Sequence, residues 1–159
     1  MLSLLKKFFG TKSTRDLKEL TPLLEKIKAA YDIIKNLDND QLRAKTLEFK
    51  TFIAKAIETE EDKIAALKLE VDQNYDLEVS QREAIYTEID ALKKVVTGKI
   101  EEALIEILPE AFSVVKETAR RFKENEWVEV TANERDRDLA ARRDNIVIEG
   151  NTAKYRNAW

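Results

Sequence analysis

Thr97-Gly98-Lys99 is the one stretch of the 159 residues that looks like part of a phosphate-binding loop. A complete loop needs a glycine five positions before Gly98, a Ser or Thr after the lysine, and a strand leading in, so that backbone N–H groups turn towards the phosphates. Position 93 is Lys93, position 100 is Ile100, and the surrounding spacing is helical. A lysine beside a glycine on a helix surface is the better reading. Glu60-Glu61 and Glu101-Glu102 pair carboxylates, but on charged helix faces where solvation accounts for them. Arg120-Arg121 and Arg142-Arg143 could meet phosphates, yet lack the interleaved aromatics of a nucleic-acid site. They read as surface charge. Histidine and cysteine are absent, which excludes disulfides, Cys/His zinc sites and any histidine base. The sequence therefore assigns no catalytic residue, no cofactor-binding residue and no metal ligand, and gives no reason to expect nucleic acid as a partner.

The chemistry that remains is interfacial. At about 100° per residue, Leu2, Leu4, Leu5, Phe8 and Phe9 share one side of a short helix over Met1–Gly10. Ser3, Lys6 and Lys7 share the other, Lys12 follows, and residues 1–12 carry no acid. Apolar bulk bordered by lysines suits the headgroup region of a membrane, where lysine stems snorkel. The plainer alternative is a helix docked on its own protein or on a partner. The membrane-binding set is thus Leu2, Leu4, Leu5, Lys6, Lys7, Phe8, Phe9 and Lys12.

The elements that must position this segment are helical. Charged residues make up 37% and hydrophobic ones 43%, with only 3 Gly and 2 Pro, a mixture that favours long helices. The net charge of -3 supplies no basic field. No apolar run approaches the roughly 20 residues that cross a bilayer. The N-terminus makes a poor signal peptide, for want of a long apolar core and a small-residue cleavage site. Absence of cysteine fits a cytoplasmic protein.

Apolar residues spaced three and four apart predict a helix from about Thr14 to Asn36, with Pro22 marking a kink or a late start. Asp38 and Gln41 form a capping box, and Leu37 and Leu42 a hydrophobic staple, for a long helix towards Val71 that the acidic run Glu58–Asp62 could break. Gln73–Val79 reads as a connector. Ser80 with Glu83 predicts a second capping box and a helix to about Leu108, after which Pro109 suits the first turn of another helix, Pro109–Lys123.

The two long helices carry matching stripes. Phe49, Ile53, Ala56, Glu60, Ile64, Leu67 and Val71 repeat the spacing of Ile85, Ile89, Leu92, Val96, Ile100, Ala103 and Ile107. Folded back at about residue 78, Val71 faces Ile85, Leu67 faces Ile89 and Phe49 faces Ile107, with Glu60 opposite Val96. The spacing lies nearer an 11-residue than a 7-residue repeat, which predicts a nearly straight or weakly right-handed pair. A stripe of this kind is first of all a core; the same stations meeting across two chains would make it a homodimer contact.

After Asn125 the pattern changes. Trp127–Thr131 alternates like a strand, Asn133–Asp144 reads as a charged loop or marginal helix, and Ile146–Ile148 with Thr152–Arg156 flank the turn signal Gly150-Asn151. These strands are too few for an independent sheet. They must pack on the helices, pair through an open edge with another chain, or fluctuate. The predicted fold is mainly α: a long antiparallel helical hairpin with flanking helices and a small C-terminal β-hairpin. Its expected parts are an amphipathic helix over 1–12, a helical domain over 13–125 with the hairpin at about 39–108, and a charged loop and β-hairpin over 126–159.

Four segments, in order, resemble the N-terminal region of bacterial SecA. They are Met1–Gly10; Leu20-Thr21-Pro22 with Glu25-Lys26-Ile27; Leu42-Arg43-Ala44-Lys45-Thr46 with Glu48-Phe49; and Leu108-Pro109-Glu110-Ala111-Phe112 with Val114–Glu117 and Ala119-Arg120-Arg121. The resemblance covers residues 1–57 and about 105–124. The hairpin replaces what is usually a short link, and 126–159 lies outside the common pattern, although some SecA sequences carry comparable insertions. The family's adenine-contacting segment and Walker A loop do not appear before Trp159, so the chain resembles a SecA truncated ahead of its nucleotide site. The resemblance implies a peripheral protein on the cytoplasmic face of the bacterial plasma membrane, part of an ATPase that uses ATP and Mg and pushes unfolded preproteins through SecYEG. It implies anionic-lipid and translocon binding by Leu2, Leu4, Leu5, Lys6, Lys7, Phe8 and Phe9, and leaves this chain alone without ATP turnover. A self-contained helical adaptor at the membrane surface, or a coiled-coil scaffold, is the alternative.

Overall fold

A computed structural model describes residues 12–157. Their elements are α1 (Lys12–Ile34), α2 (Asn39–Gln73), α3 (Val79–Glu124), β1 (Trp127–Thr131), α4 (Glu134–Ala140), β2 (Ile146–Glu149) and β3 (Thr152–Arg156). The predicted fold class, mainly helical with a small C-terminal sheet, is the observed one. The chain divides into two compact units, Thr46–Ile107 on the one hand and Met1–Lys45 with Leu108–Trp159 on the other.

The Thr46–Ile107 unit is the antiparallel hairpin. All fourteen stations of the two stripes are buried or half-buried, and on α2 between Thr46 and Val71 only Ile57 joins them. Ile64, Ile89 and Val96 form the centre, with Ile57, Leu67, Ile85, Leu92 and Ile100 packed against it. Full burial of such a side chain contributes about 1.5–3 kcal/mol, so the seam holds the two helices together. The one acid in the seam, Glu60, has a partner: Lys99 Nζ lies 2.6 Å from its Oε2. The acidic run does not break α2, because its other members, Glu58, Glu61 and Asp62, stay exposed.

Each helix start shows what local chemistry decides. The Asp38–Gln41 box is complete: Gln41 N–H donates to Asp38 Oδ1 at 2.7 Å, and Asp38 N–H donates to Gln41 Oε1 at 3.0 Å. The Ser80–Glu83 box does not form. Here α3 starts two residues earlier, with Glu78 N–H donating to Gln81 Oε1 at 3.2 Å and Arg82 Nη2 donating to Tyr75 O at 2.8 Å across the turn. Pro109 does not begin a helix either. It lies inside α3, as Pro22 lies inside α1. An interior proline costs about 3 kcal/mol, and the packed apolar residues on both sides of Pro109 outweigh that.

In the second unit the sheet order is β1-β3-β2, antiparallel throughout, with Trp127 opposite Arg156 and Ile146 opposite Tyr155. The hairpin β2–β3 turns at Gly150, whose φ of 59° suits glycine. The sheet exceeds the predicted hairpin by one strand, since β1 adds to the far side of β3. Alternation sorts its faces: Val128, Ile146 and Ala153 are buried on one, while on the other Lys154 bridges Glu149 at 2.7 Å and Glu129 at 3.4 Å. The charged stretch after β1 forms the short helix α4 because Asn133 and Asp136 cap it reciprocally.

Candidate functional site

Leu2, Leu4, Leu5, Lys6, Lys7, Phe8 and Phe9 lie outside the described residues. Lys12 is the first residue of α1, and its side chain lies outside them as well. What the structure does place is a polar framework joining α1, the start of α2, the end of α3 and the sheet within one unit.

The framework has two buried carboxylates. Glu117 on α3 is fully buried. It accepts from Arg120 Nη2 at 2.6 Å and Nε at 2.9 Å, from Arg121 Nε at 2.8 Å and from the Tyr31 hydroxyl on α1 at 3.0 Å. Arg120 leads in pulling the carboxyl down to about 2, with Arg121 and Tyr31 adding to it against the opposing effect of burial. Arg120 also meets Glu124, and the same contacts raise its own pKa. Arg121 reaches onward, its Nη1 donating to Asn39 Oδ1 at 2.7 Å and its Nη2 to Leu37 O. One glutamate thus ties α3 to α1 and, through Arg121, to the α1–α2 turn.

Asp136 on α4 is the second. Arg43 on α2 grips it with both Nη atoms, at 2.7 and 2.9 Å. The Tyr155 hydroxyl and Asn133 N–H, the latter at 2.9 Å, complete the shell. Burial pushes the Asp136 carboxyl up, but the bonds from Arg43, Tyr155 and Asn133 outweigh it and hold the group below its ordinary value. Burial first, and then Asp136, pushes the Tyr155 phenol up to about 12. The start of α2 also lines the outer edge of β1. Asn39 Nδ2 donates to Glu129 O at 2.8 Å, Asp40 Oδ1 accepts from Thr131 N–H at 2.9 Å, and Arg43 Nη1 lies 3.3 Å from Thr131 O.

This chemistry is architectural. A polar cleft of about 530 Å³ is bordered by Asn39, Arg120, Arg121, Glu124, Trp127 and Glu129, and both of its arginines are committed to Glu117. The reading of Arg120-Arg121 as plain surface charge is corrected accordingly: Arg121 is part of the interior network. Lys99, of the Thr97-Gly98-Lys99 stretch, binds Glu60 from the middle of α3, so that stretch is not a phosphate loop. Among the described residues no group of three or more acidic side chains is arranged to hold a metal ion, and no helix is long and apolar enough to cross a membrane.

Sequence reasoning missed Glu117 and Asp136. A signal existed for each. Asn133 followed three positions later by Asp136 has capping-box spacing, and Glu117 has arginines three and four positions on, where side chains of one helix meet.

The residues of the SecA resemblance recur in this framework: Arg43 on Asp136, Lys45 within 3.3 Å of Glu110, Lys116 over the Tyr31 ring at 4.0 Å, and Glu117 with its arginines. The sequence model of the SecA DEAD-like domain matches residues 5–133. The protein translocase subunit SecA of Parabacteroides distasonis is 50% identical over 153 residues, 96% of this chain and 13% of that protein. Those of Azobacteroides pseudotrichonymphae and Bacteroides fragilis are 45% and 46% identical over 157 and 155 residues, 99% and 98% of this chain and 14% of each relative. The chain therefore spans about one seventh of the length of these relatives, and the matched length takes in the hairpin and the sheet. No solved structure matches it. With a family model covering most of its residues and relatives this similar along nearly all of it, the chain belongs to the SecA family, as an N-terminal part of the translocase subunit.

Proposed function

We propose that this chain is the attachment part of an ATP-driven motor that moves unfolded preproteins through SecYEG, working on the cytoplasmic face of the bacterial plasma membrane. ATP and Mg belong to other parts of such a motor. The observation that carries the reading is the 45–50% identity to SecA proteins along 96–99% of the chain. The residues proposed to touch anionic lipid or the translocon are Leu2, Leu4, Leu5, Lys6, Lys7, Phe8, Phe9 and Lys12, on the strength of their apolar side and acid-free lysines. The helical adaptor or scaffold is the less favoured reading, since the framework residues coincide with those of the family resemblance.

A chimera tests this. The Bacteroides fragilis SecA with its matching segment replaced by residues 1–159 should drive ATP-dependent preprotein entry into SecYEG vesicles at a rate within about tenfold of the parent, a barrier difference of about 1.4 kcal/mol. A chimera that folds and hydrolyses ATP but moves no preprotein contradicts the assignment.

A further inference from the structure

Charge is unevenly divided along the chain. Thr46–Ile107, the hairpin unit, holds 15 acidic and 8 basic residues, a net -7, while the other residues hold 16 and 20, a net +4. Nearly all of the hairpin's excess lies about its turn, where residues 70–90 carry seven carboxylates against Arg82 alone. All seven are exposed, and among the described residues only Asp90 has a side-chain partner, Lys93 at 2.9 Å. Arg82 is occupied with Tyr75 O at 2.8 Å. Carboxylates without cations stay in water whatever else packs near the hairpin, because burying them unpaired is costly. Helix chemistry does not account for them either. Glu78, just before α3, suits the positive end of that helix. Glu70 and Asp72, however, sit in the last turn of α2, where the helix end is itself negative and no basic residue is present. Stability alone favours lysine there. At 1.5 Å per residue, the turn lies about 40 Å along α2 from Thr46.

We propose that the hairpin is a membrane-avoiding arm: its acidic turn keeps it off the anionic bilayer to which residues 1–12 attach, and so selects the orientation of a bound chain. This arm presupposes the membrane role proposed for residues 1–12. That segment, with Lys6, Lys7 and Lys12 and no acid, points to an anionic surface as what the chain meets, and the turn carries the opposite sign. The negative surface potential of such a bilayer attracts the one and repels the other, each within about a Debye length, about 8 Å at physiological salt. A turn held farther off than that leaves attachment undisturbed. Only poses in which the hairpin lies down on the lipid are opposed.

The test is energy transfer from the turn to the lipid. The chain has no cysteine, so Tyr75→Cys, at a position 85% exposed, takes a single donor dye; the acceptor is a headgroup-labelled lipid. An N-terminal histidine tag on nickel-chelating lipid holds the 159-residue chain on phosphatidylcholine vesicles made with or without phosphatidylglycerol. At low salt, transfer should be about twofold lower with phosphatidylglycerol than without it, and the difference should vanish in about 1 M salt. Glu70→Gln, Asp72→Asn, Asp76→Asn, Glu83→Gln and Glu88→Gln combined should give equal transfer on both vesicles. Equal transfer by the unneutralised chain at low salt overturns the proposal, and that comparison needs no variant of the turn. So does a folded neutralised chain that keeps the full difference. An untagged chain that ignores phosphatidylglycerol vesicles overturns the membrane role and the attachment on which the arm depends, whereas failure of the arm alone is read from the tagged chain.

Discussion

Glu117 shows how one side chain can organise a unit. Held at about 2 from an ordinary 4.5, it binds protons less readily folded than unfolded. Its contribution is therefore present above the unfolded value and lost as pH falls through the folded one. At about 1.36 kcal/mol per pKa unit, the shift corresponds to roughly 3 kcal/mol at neutral pH. Glu117→Gln should lower the stability of its unit by about that amount at pH 7 and flatten the pH dependence between about 5 and 2. Urea unfolding at several pH values reads both effects. A Glu117→Gln protein whose urea midpoint falls with acid as steeply as that of the parent would show that other carboxylates dominate. Legibility at this scale was uneven. The Asp38–Gln41 cap could be read because both of its bonds are local. Glu117 could not, because its burial depends on Tyr31, 86 residues away, and helical spacing alone does not say which charged face turns inward.

The elements divide in the same way. The hairpin was legible because two long stripes with one spacing leave a single antiparallel register, and every station proved buried or half-buried. The Pro109 boundary failed because local proline chemistry was weighed without the packing around it. The strand at Trp127–Thr131 was legible from its alternation, but its place in the sheet was not, because β1 joins β3 across some twenty residues, a non-local pairing that no turn signal announces. Of the three fates open to the strands, packing on the helices is realised, through Arg43 and Asp136. The seam makes its own prediction. Ile89→Asp places a charge where 2% of the residue is exposed and should cost at least about 3 kcal/mol from lost burial and desolvation. Leu69→Asp, at a position 54% exposed on α2, should stay within about 0.5 kcal/mol. Helical circular dichroism during thermal unfolding distinguishes them, and equal losses would refute the seam.

At the scale of the molecule, the described residues form a hairpin closed by an apolar seam, and a unit held together by two buried carboxylates. Arg43, Lys99, Arg120 and Arg121 are spent on the buried acids Asp136, Glu60 and Glu117. By contrast, residues 1–12 combine five large apolar side chains at Leu2, Leu4, Leu5, Phe8 and Phe9 with Lys6, Lys7 and Lys12 and no acid. On that composition we propose the first twelve residues as the part that meets an outside surface. Each lysine contributes on the order of 1 kcal/mol near an anionic bilayer, an attraction that salt screens. Vesicle sedimentation tests this most directly, comparing the full chain with one lacking residues 1–12 on anionic and on neutral lipid. The account predicts binding by the full chain to anionic vesicles, weakened by added salt, and none by the shortened chain. Equal binding by the two chains would contradict it.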